Sequence, residues 1–190
     1  MRIISGTARG RKIDTPAGLS TRPTLDRVKE SVFGSIQFEI EGRVVLDLFA
    51  GSGNLGIEAL SRGAKYAVFC DSSRVCADIV SANLKKTGFT NAEVINSDFE
   101  QVLVRLKSIG QKFDLVFLDP PYASGLVQPA TDMLCDLGLL SSFAIIVAEH
   151  SVNQKITIPD ALSLRSEKKY RETAVTMLEM KNTLDKGQVK

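Results

Sequence analysis

Several residue types that commonly build functional sites are scarce in this chain of 190 residues. It has no tryptophan, one histidine (His150) and three cysteines, Cys70, Cys76 and Cys135, without C-x-x-C spacing. A single histidine excludes a His-rich metal site, and an odd number of scattered cysteines favours neither a disulfide framework nor a zinc site. We therefore expect no bound metal, a structural role for His150, and reduced cysteines in a cytoplasmic protein.

Long apolar runs are also missing. No stretch approaches the roughly 20 apolar residues that a membrane-spanning helix requires. The start of the chain, MRIISG, lacks the apolar core of a signal peptide. With 44% hydrophobic and 24% charged residues, the composition is that of a globular protein rather than a disordered or membrane protein. We predict one domain over residues 1–190, with a basic amino-terminal arm over 1–23 and a frayed tail over 182–190.

Positive charge is concentrated at the amino terminus, although the net charge of the whole chain is only +2. Residues 1–30 hold seven basic and three acidic residues, a net charge of +4 that leaves −2 for the remainder. Such a segment is typical either of a phosphate-binding surface or of a merely solvated basic face, and charge alone does not decide between them.

From residue 43 onward, strand patterns alternate with helix patterns, which predicts a parallel sheet of the α/β class. The predicted strands are 44–48, 66–70, 93–96, 113–118, 143–148, 162–170 and 173–180. Predicted helices follow the glycine loop to about residue 62 and cover 73–87, 99–109 and 127–137. Another is capped by Thr24 and has the apolar face Val28, Val32, Ile36 and Ile40. Residues 2–14 are predicted to form a hairpin or extended arm, and the last two strands a hairpin with antiparallel pairing.

The strand over 113–118 ends abruptly at Asp119-Pro120-Pro121-Tyr122. Two prolines without N–H groups cannot continue a central strand, so a stiff loop must follow. Ligands of open α/β sheets bind at the carboxyl ends of strands, which makes this loop the first candidate for chemistry. The alternative is a rigid structural turn.

A glycine loop between a strand and a helix allows two interpretations. Gly51, Gly53 and Gly56 form G-x-G-x-x-G, and Asp71 lies 20 residues after Gly51, as in a dinucleotide-binding enzyme that uses NAD. However, Asp47 lies in the strand just before the loop, where a carboxylate suits a ligand's ammonium group and is unfavourable beside a pyrophosphate.

S-adenosylmethionine matches the acidic residues near this loop better than NAD does. Its methionine part can lie against Gly51 and Gly53, its ribose hydroxyls can be bound by Asp71, and its adenine amine by Asp98. Each acid alone could instead cap a helix. The predicted cofactor-binding residues are Asp47, Phe49, Gly51, Gly53, Asp71, Asp98 and Asp119.

The pattern Asp-x-Phe-x-Gly-x-Gly followed by Asp-Pro-Pro-Tyr resembles class I S-adenosylmethionine-dependent methyltransferases that modify exocyclic amines of bases. The amino-terminal motifs RIISG (2–6), RGRK (9–12), RPT (22–24) and DRVKE (26–30) resemble the RsmD family of bacterial small-subunit ribosomal RNA guanine-N2 methyltransferases. The resemblance implies a Rossmann-like class I methyltransferase fold, with helices on both faces of a mostly parallel seven-stranded sheet and an antiparallel edge strand.

The resemblance also implies a reaction: methyl transfer from S-adenosylmethionine to N2 of a guanine in 16S ribosomal RNA, at position 966. It implies that Asp119 and the Pro120 carbonyl accept the amine hydrogens, that Pro121 stiffens the turn, and that Tyr122 stacks on an extruded base. We expect a monomer that acts on ribosomal RNA or on a small-subunit assembly particle without a metal. The expected RNA-binding residues are Arg9, Arg11, Lys12, Arg22 and Arg27. Arg22 and Arg27, together with Thr24, could instead cover the cofactor. The nearest alternative is an adenine-N6 methyltransferase acting on DNA or RNA.

Overall fold

The computed structural model describes residues 1–16, 23–121 and 124–181, without the side chains of residues 23–26. Seven strands form one sheet in the order β3-β2-β1-β4-β5-β7-β6. The strands are β1 (Val44–Asp47), β2 (Tyr66–Asp71), β3 (Ala92–Asn96), β4 (Phe113–Leu118), β5 (Leu140–Ser151), β6 (Leu162–Tyr170) and β7 (Thr173–Met180). Strands β1 to β5 are parallel, and β7 pairs antiparallel with both β5 and β6. The predicted sheet is therefore confirmed, and its antiparallel strand is the second from the edge.

Helices cover both faces of the sheet, as predicted. They are α1 (Pro23–Ile36), α2 (Asn54–Ser61), α3 (Arg74–Thr87), α4 (Phe99–Ser108) and α5 (Val127–Asp136). One hydrophobic core lies between the sheet and α1, α2 and α3, and a second lies between the sheet and α4 and α5. Strand β4 is buried on both sides because Leu115 and Phe117 enter the first core while Val116 and Leu118 enter the second.

The predicted bounds of helix α1 and of strand β5 were wrong. Helix α1 begins at Pro23 instead of being capped by Thr24, because a proline suits the first helical position. It ends at Ile36, so Ile40 is buried in the following turn rather than on the helix. Strand β5 extends beyond the predicted 143–148 because residues 149–151 continue to pair with β7, a contact that the local sequence does not indicate.

The amino-terminal segment is folded against the helices rather than extended. A single antiparallel bridge joins Arg2 to Lys12. Its apolar side chains enter the first core: Ile3, Ala8 and Ile13. A Cβ added to Gly6 would lie 1.7 Å from the carbonyl oxygen of Ser61, so this close approach requires glycine. Within the residues that the structure describes, no helix is long and apolar enough to cross a membrane.

Candidate active site

The carboxyl ends of β1, β2, β4 and β5 open into a cleft of about 790 Å³. The glycine loop after β1, the first residues of α4 and the turn after β4 form its walls, and α1 contributes Val28, Lys29 and Val32. A cleft at this edge of the sheet is where α/β folds bind ligands. All four acids predicted from the sequence meet here: Asp47, Asp71, Asp98 and Asp119.

Asp47 lies beneath the glycine loop at the end of β1. It is 1% exposed, and its Oδ2 accepts a hydrogen bond of 2.9 Å from the N–H of Gly56. Burial raises the pKa of Asp47 to about 7, the Gly56 N–H opposes that rise, and the negative charges of Asp119 and Asp71 add to it. This carboxylate therefore ionises near neutral pH, and a cationic ligand in the cleft would favour its charged form.

The three glycines of the loop have different structural roles. Gly51 and Gly53 have φ angles of 54° and 76°, in the left-handed region that favours glycine, and Gly53 directly precedes α2. Gly56 lets α2 pack closely on the sheet, because an added Cβ would lie 2.3 Å from the buried ring of Phe69. The loop is thus shaped by two backbone turns and one close helix–sheet contact.

Asp71 and Asp98 each accept hydrogen bonds from backbone N–H groups. Asp71 accepts hydrogen bonds from Gly51 and Ser73, both of 2.8 Å, so it supports the glycine loop and the turn before α3. Asp98 caps α4, where its Oδ1 accepts from the N–H of Glu100 at 3.0 Å. The helix-cap interpretation of Asp98 is therefore correct, while both carboxylates also line the cleft.

Asp119 follows directly on β4, which stops at Leu118 as the two prolines predicted. It is accessible from the cleft, while protein atoms around it reduce its hydration and raise its pKa to about 6. Pro120 and Pro121 also line the cleft, and the Pro121 carbonyl accepts a hydrogen bond of 3.0 Å from the N–H of Ser124. Tyr122 lies outside the described residues.

Phe99 and Glu149 are among the cleft residues that the sequence analysis did not assign to the site. The ring of Phe99 lies 5.6 Å from that of Phe49, and the two aromatic residues line the cleft together. In the sequence, Phe99 was only the first residue of the predicted helix 99–109. Glu149 lies at the end of β5, beyond the predicted strand. An acid directly after an apolar strand was the available signal, but no motif accompanied it.

The predicted RNA-binding residues are spread over the amino-terminal segment and α1. Arg9, Lys12 and Arg27 are exposed. Arg11 is exposed as well, but its Nη1 donates hydrogen bonds to the carbonyls of Thr87 (2.8 Å) and Lys86 (3.3 Å) at the end of α3. Arg22 lies outside the described residues. The structure thus places several cations on a segment that is tied firmly to the body of the protein.

Comparison with known proteins identifies the family. The model of the family described as "Conserved hypothetical protein 95" matches residues 1–179. Ribosomal RNA small subunit methyltransferase D of Escherichia coli (strain K12) is 38% identical over 169 residues, which cover 88% of this chain and 84% of that protein. The chain belongs to the RsmD family.

Other RsmD-like proteins agree with this assignment. YlbH of Bacillus subtilis (strain 168) is 40% identical over 170 residues, covering 88% of this chain and 92% of the relative. The solved structure of the Escherichia coli protein yhhF has a TM-score of 0.85 and 37% identity, and the match covers 96% and 99% of the two chains. A methyltransferase structure, SMU.776 complexed with SAH, is 13% identical with a TM-score of 0.66 over 80% of this chain and 50% of that one, a likeness of fold alone.

Proposed function

We propose that this protein transfers a methyl group from S-adenosylmethionine to the exocyclic N2 amine of a guanine in 16S ribosomal RNA, at position 966 as in the RsmD family. The main support for the proposal is that Asp119 and the glycine loop line the same cleft. The names of the RsmD relatives support ribosomal RNA as the substrate.

The acids of the cleft suit the proposed cofactor. When bound, S-adenosylmethionine supplies an electrophilic methyl group on a positively charged sulfur. Asp47 would complement its ammonium group, and the open space at Gly51 leaves room for its methionine part. Gly53, also predicted to bind the cofactor, does not line the cleft and faces Val80 instead. Asp71 and Asp98 already accept backbone N–H groups, but each carboxylate oxygen has a second lone pair for a ribose hydroxyl or the adenine amine. Phe49 would border the adenine.

The turn after β4 would orient the target amine. The lone pair of an exocyclic amine is delocalised into the base, so the amine is a weak nucleophile. Asp119 and the Pro120 carbonyl can accept its two hydrogens and favour a pyramidal nitrogen, and the prolines keep these acceptors in place. Tyr122, which follows them in the sequence, would stack on the extruded base.

The basic amino-terminal segment would bind the RNA backbone. Because residues 1–14 are fixed against α2 and α3, their cations can contact phosphates without first being ordered. Substitution of Arg9 or Lys12 by alanine should lower the slope of log affinity against log salt by about one unit each. Lys107→Ala on α4 is the control and should leave that slope unchanged.

The function is tested with purified protein, S-adenosylmethionine and 16S ribosomal RNA, either free or in small subunits. Mass spectrometry of the digested RNA should detect N2-methylguanosine; N6-methyladenosine would favour the adenine-N6 alternative. Calorimetry should detect binding of S-adenosylmethionine but not of NAD. Asp119→Ala should still bind S-adenosylmethionine yet lose most transfer. Asp136→Asn, at the exposed end of α5, is the control and should keep both binding and transfer. Normal transfer by the Asp119 variant would refute its assigned role.

A further inference from the structure

Glu149 lies beside Asp119 at the carboxyl ends of two neighbouring parallel strands. Strands β4 and β5 pair Phe117 with Val147 and Leu118 with Ala148. The residue that follows this last pair is an acid on both sides, Asp119 just beyond β4 and Glu149 within β5. Neighbouring strands lie about 4.8 Å apart, which puts the two backbones within reach of a carboxyl–carboxyl contact.

The side chains of Asp119 and Glu149 project from the same face of the sheet. Phe117 and Val147 enter the core beneath α1, and side chains two residues apart on a strand point the same way. Asp119 and Glu149 therefore continue that face into the cleft, where both are found. No motif of the chain includes Glu149, and the proposed reaction as described so far gives it no role.

Two carboxyl groups at adjacent strand ends in one cleft repel each other when both are ionised, so one of them tends to keep its proton. Burial, and then the negative charge of Asp119, raise the pKa of Glu149 to about 8. Asp119 is exposed to the cleft whereas Glu149 is half-buried, so loss of hydration disfavours the charged form more at Glu149, and Glu149 is the member that holds the shared proton. Lys29 also lines the cleft, but its Nζ lies 2.8 Å from a carboxylate oxygen of Glu58. The other charged or titratable residues that line the described part of the cleft are Asp47, Asp71, Asp98, Glu172, His150, Cys70, Cys76 and the amino-terminal residue Met1.

We propose that Glu149 is a positioning residue for methyl transfer, which in its protonated form donates a hydrogen bond to Asp119 and keeps that carboxylate ionised and directed at the amine. This inference rests on the proposed function. In the reaction, the N–CH₃ bond forms as the S–CH₃ bond breaks, and the electron pair of that bond stays on sulfur. The amine proton passes to Asp119, and the pair returns one proton to water through the open cleft.

The pH profile of methyl transfer tests this role. If ionised Glu149 is inactive, kcat of the wild type should fall about tenfold between pH 7 and pH 9. Glu149→Gln keeps an N–H donor that does not titrate, so it should retain most of the activity at pH 7 and lose the alkaline decline. Glu149→Leu, which removes the donor, should lower kcat tenfold or more while the affinity for S-adenosylmethionine measured by calorimetry stays within twofold.

The ratio of the two profiles isolates Glu149, because ionisation of the RNA bases affects the wild type and Glu149→Gln equally. Glu172→Gln, in the turn between β6 and β7, removes another cleft carboxylate and should keep the wild-type profile. Parallel profiles for Glu149→Gln and the wild type, or normal kcat for Glu149→Leu, would overturn the inference. A wild type that produces no methylguanosine at any pH would instead overturn the proposed function.

Discussion

Replacing Asp47 by asparagine should make the protein more stable at neutral and alkaline pH. The pKa of the folded-state carboxyl is about 7, far above its usual 3.8, because the group is buried. The folded protein therefore binds this proton more tightly than the unfolded chain does. Stability from this group is complete below about pH 4 and is lost as pH rises through 7.

The size of this destabilisation follows from the shift in the pKa of Asp47. Each pKa unit corresponds to about 1.4 kcal/mol, so ionising Asp47 in the folded protein costs about 4 kcal/mol above pH 7. When the linkage relation is integrated from pH 5 to pH 8, the free energy of unfolding of the wild type should fall by about 2.5 kcal/mol because of this group. Asparagine does not titrate, and its Oδ1 can still accept the Gly56 N–H, so Asp47→Asn should escape this loss.

Urea unfolding of both proteins at pH 5, 6, 7 and 8, without cofactor, measures the difference. We expect the free energy of unfolding of Asp47→Asn to exceed that of the wild type by a margin that widens with pH. Asp136→Asn, at an exposed site, should follow the wild type throughout. A constant margin between pH 5 and pH 8 would show that Asp47 ionises normally and would refute the argument from burial.

Two further predictions concern packing and buried charge. Gly56→Ala should lower the free energy of unfolding by about 1–3 kcal/mol, since its Cβ would overlap the Phe69 ring, whereas Gly34→Ala, in an exposed part of α1 with open space, should leave stability unchanged or raise it slightly. Denaturation curves test both, and equal effects would contradict the packing argument. Glu58→Gln should cost about 3–5 kcal/mol because it breaks the ion pairs of this buried acid with Lys29 and Arg62. Thermal unfolding checks this, and a loss below 1 kcal/mol would contradict it.

Glu58 also explains why the amino-terminal segment is ordered. Its two carboxylate oxygens accept the N–H groups of Ile4 (2.8 Å) and Ser5 (3.0 Å), and its Oε2 lies 2.8 Å from Nζ of Lys29. One fully buried acid on α2 thus joins the basic segment to α1. This links the proposed RNA-binding surface to the cleft, because Lys29 also lines the cleft.

The sequence predicted those features that local chemistry decides. The apolar run 113–118 and the two prolines predicted the end of β4 correctly. Helix α3 ends at Thr87, as the predicted helix 73–87 does, and is followed by Gly88 with a φ of 80°. The positions of Asp47, Asp71 and Asp119 followed from the rule that ligand-facing residues lie where parallel strands end.

Features that depend on partners distant in the sequence were not predictable. The extension of β5 to Ser151 depends on pairing with β7, and without it Glu149 had no visible relation to Asp119. The folded amino-terminal segment depends on a buried glutamate more than 50 residues away. Basic residues alone gave no indication that this segment would contribute Ile3 and Ile13 to the core.

The most direct test of the account is the modification state of 16S ribosomal RNA in cells that lack this gene. Complementation with the wild type should restore N2-methylguanosine, detected by nucleoside mass spectrometry, whereas an Asp119→Ala protein expressed at the same level should not. Full restoration by the variant, or a deletion strain that retains all its N2-methylguanosine, would contradict the claim that the turn after β4 directs a guanine amine toward the methyl donor.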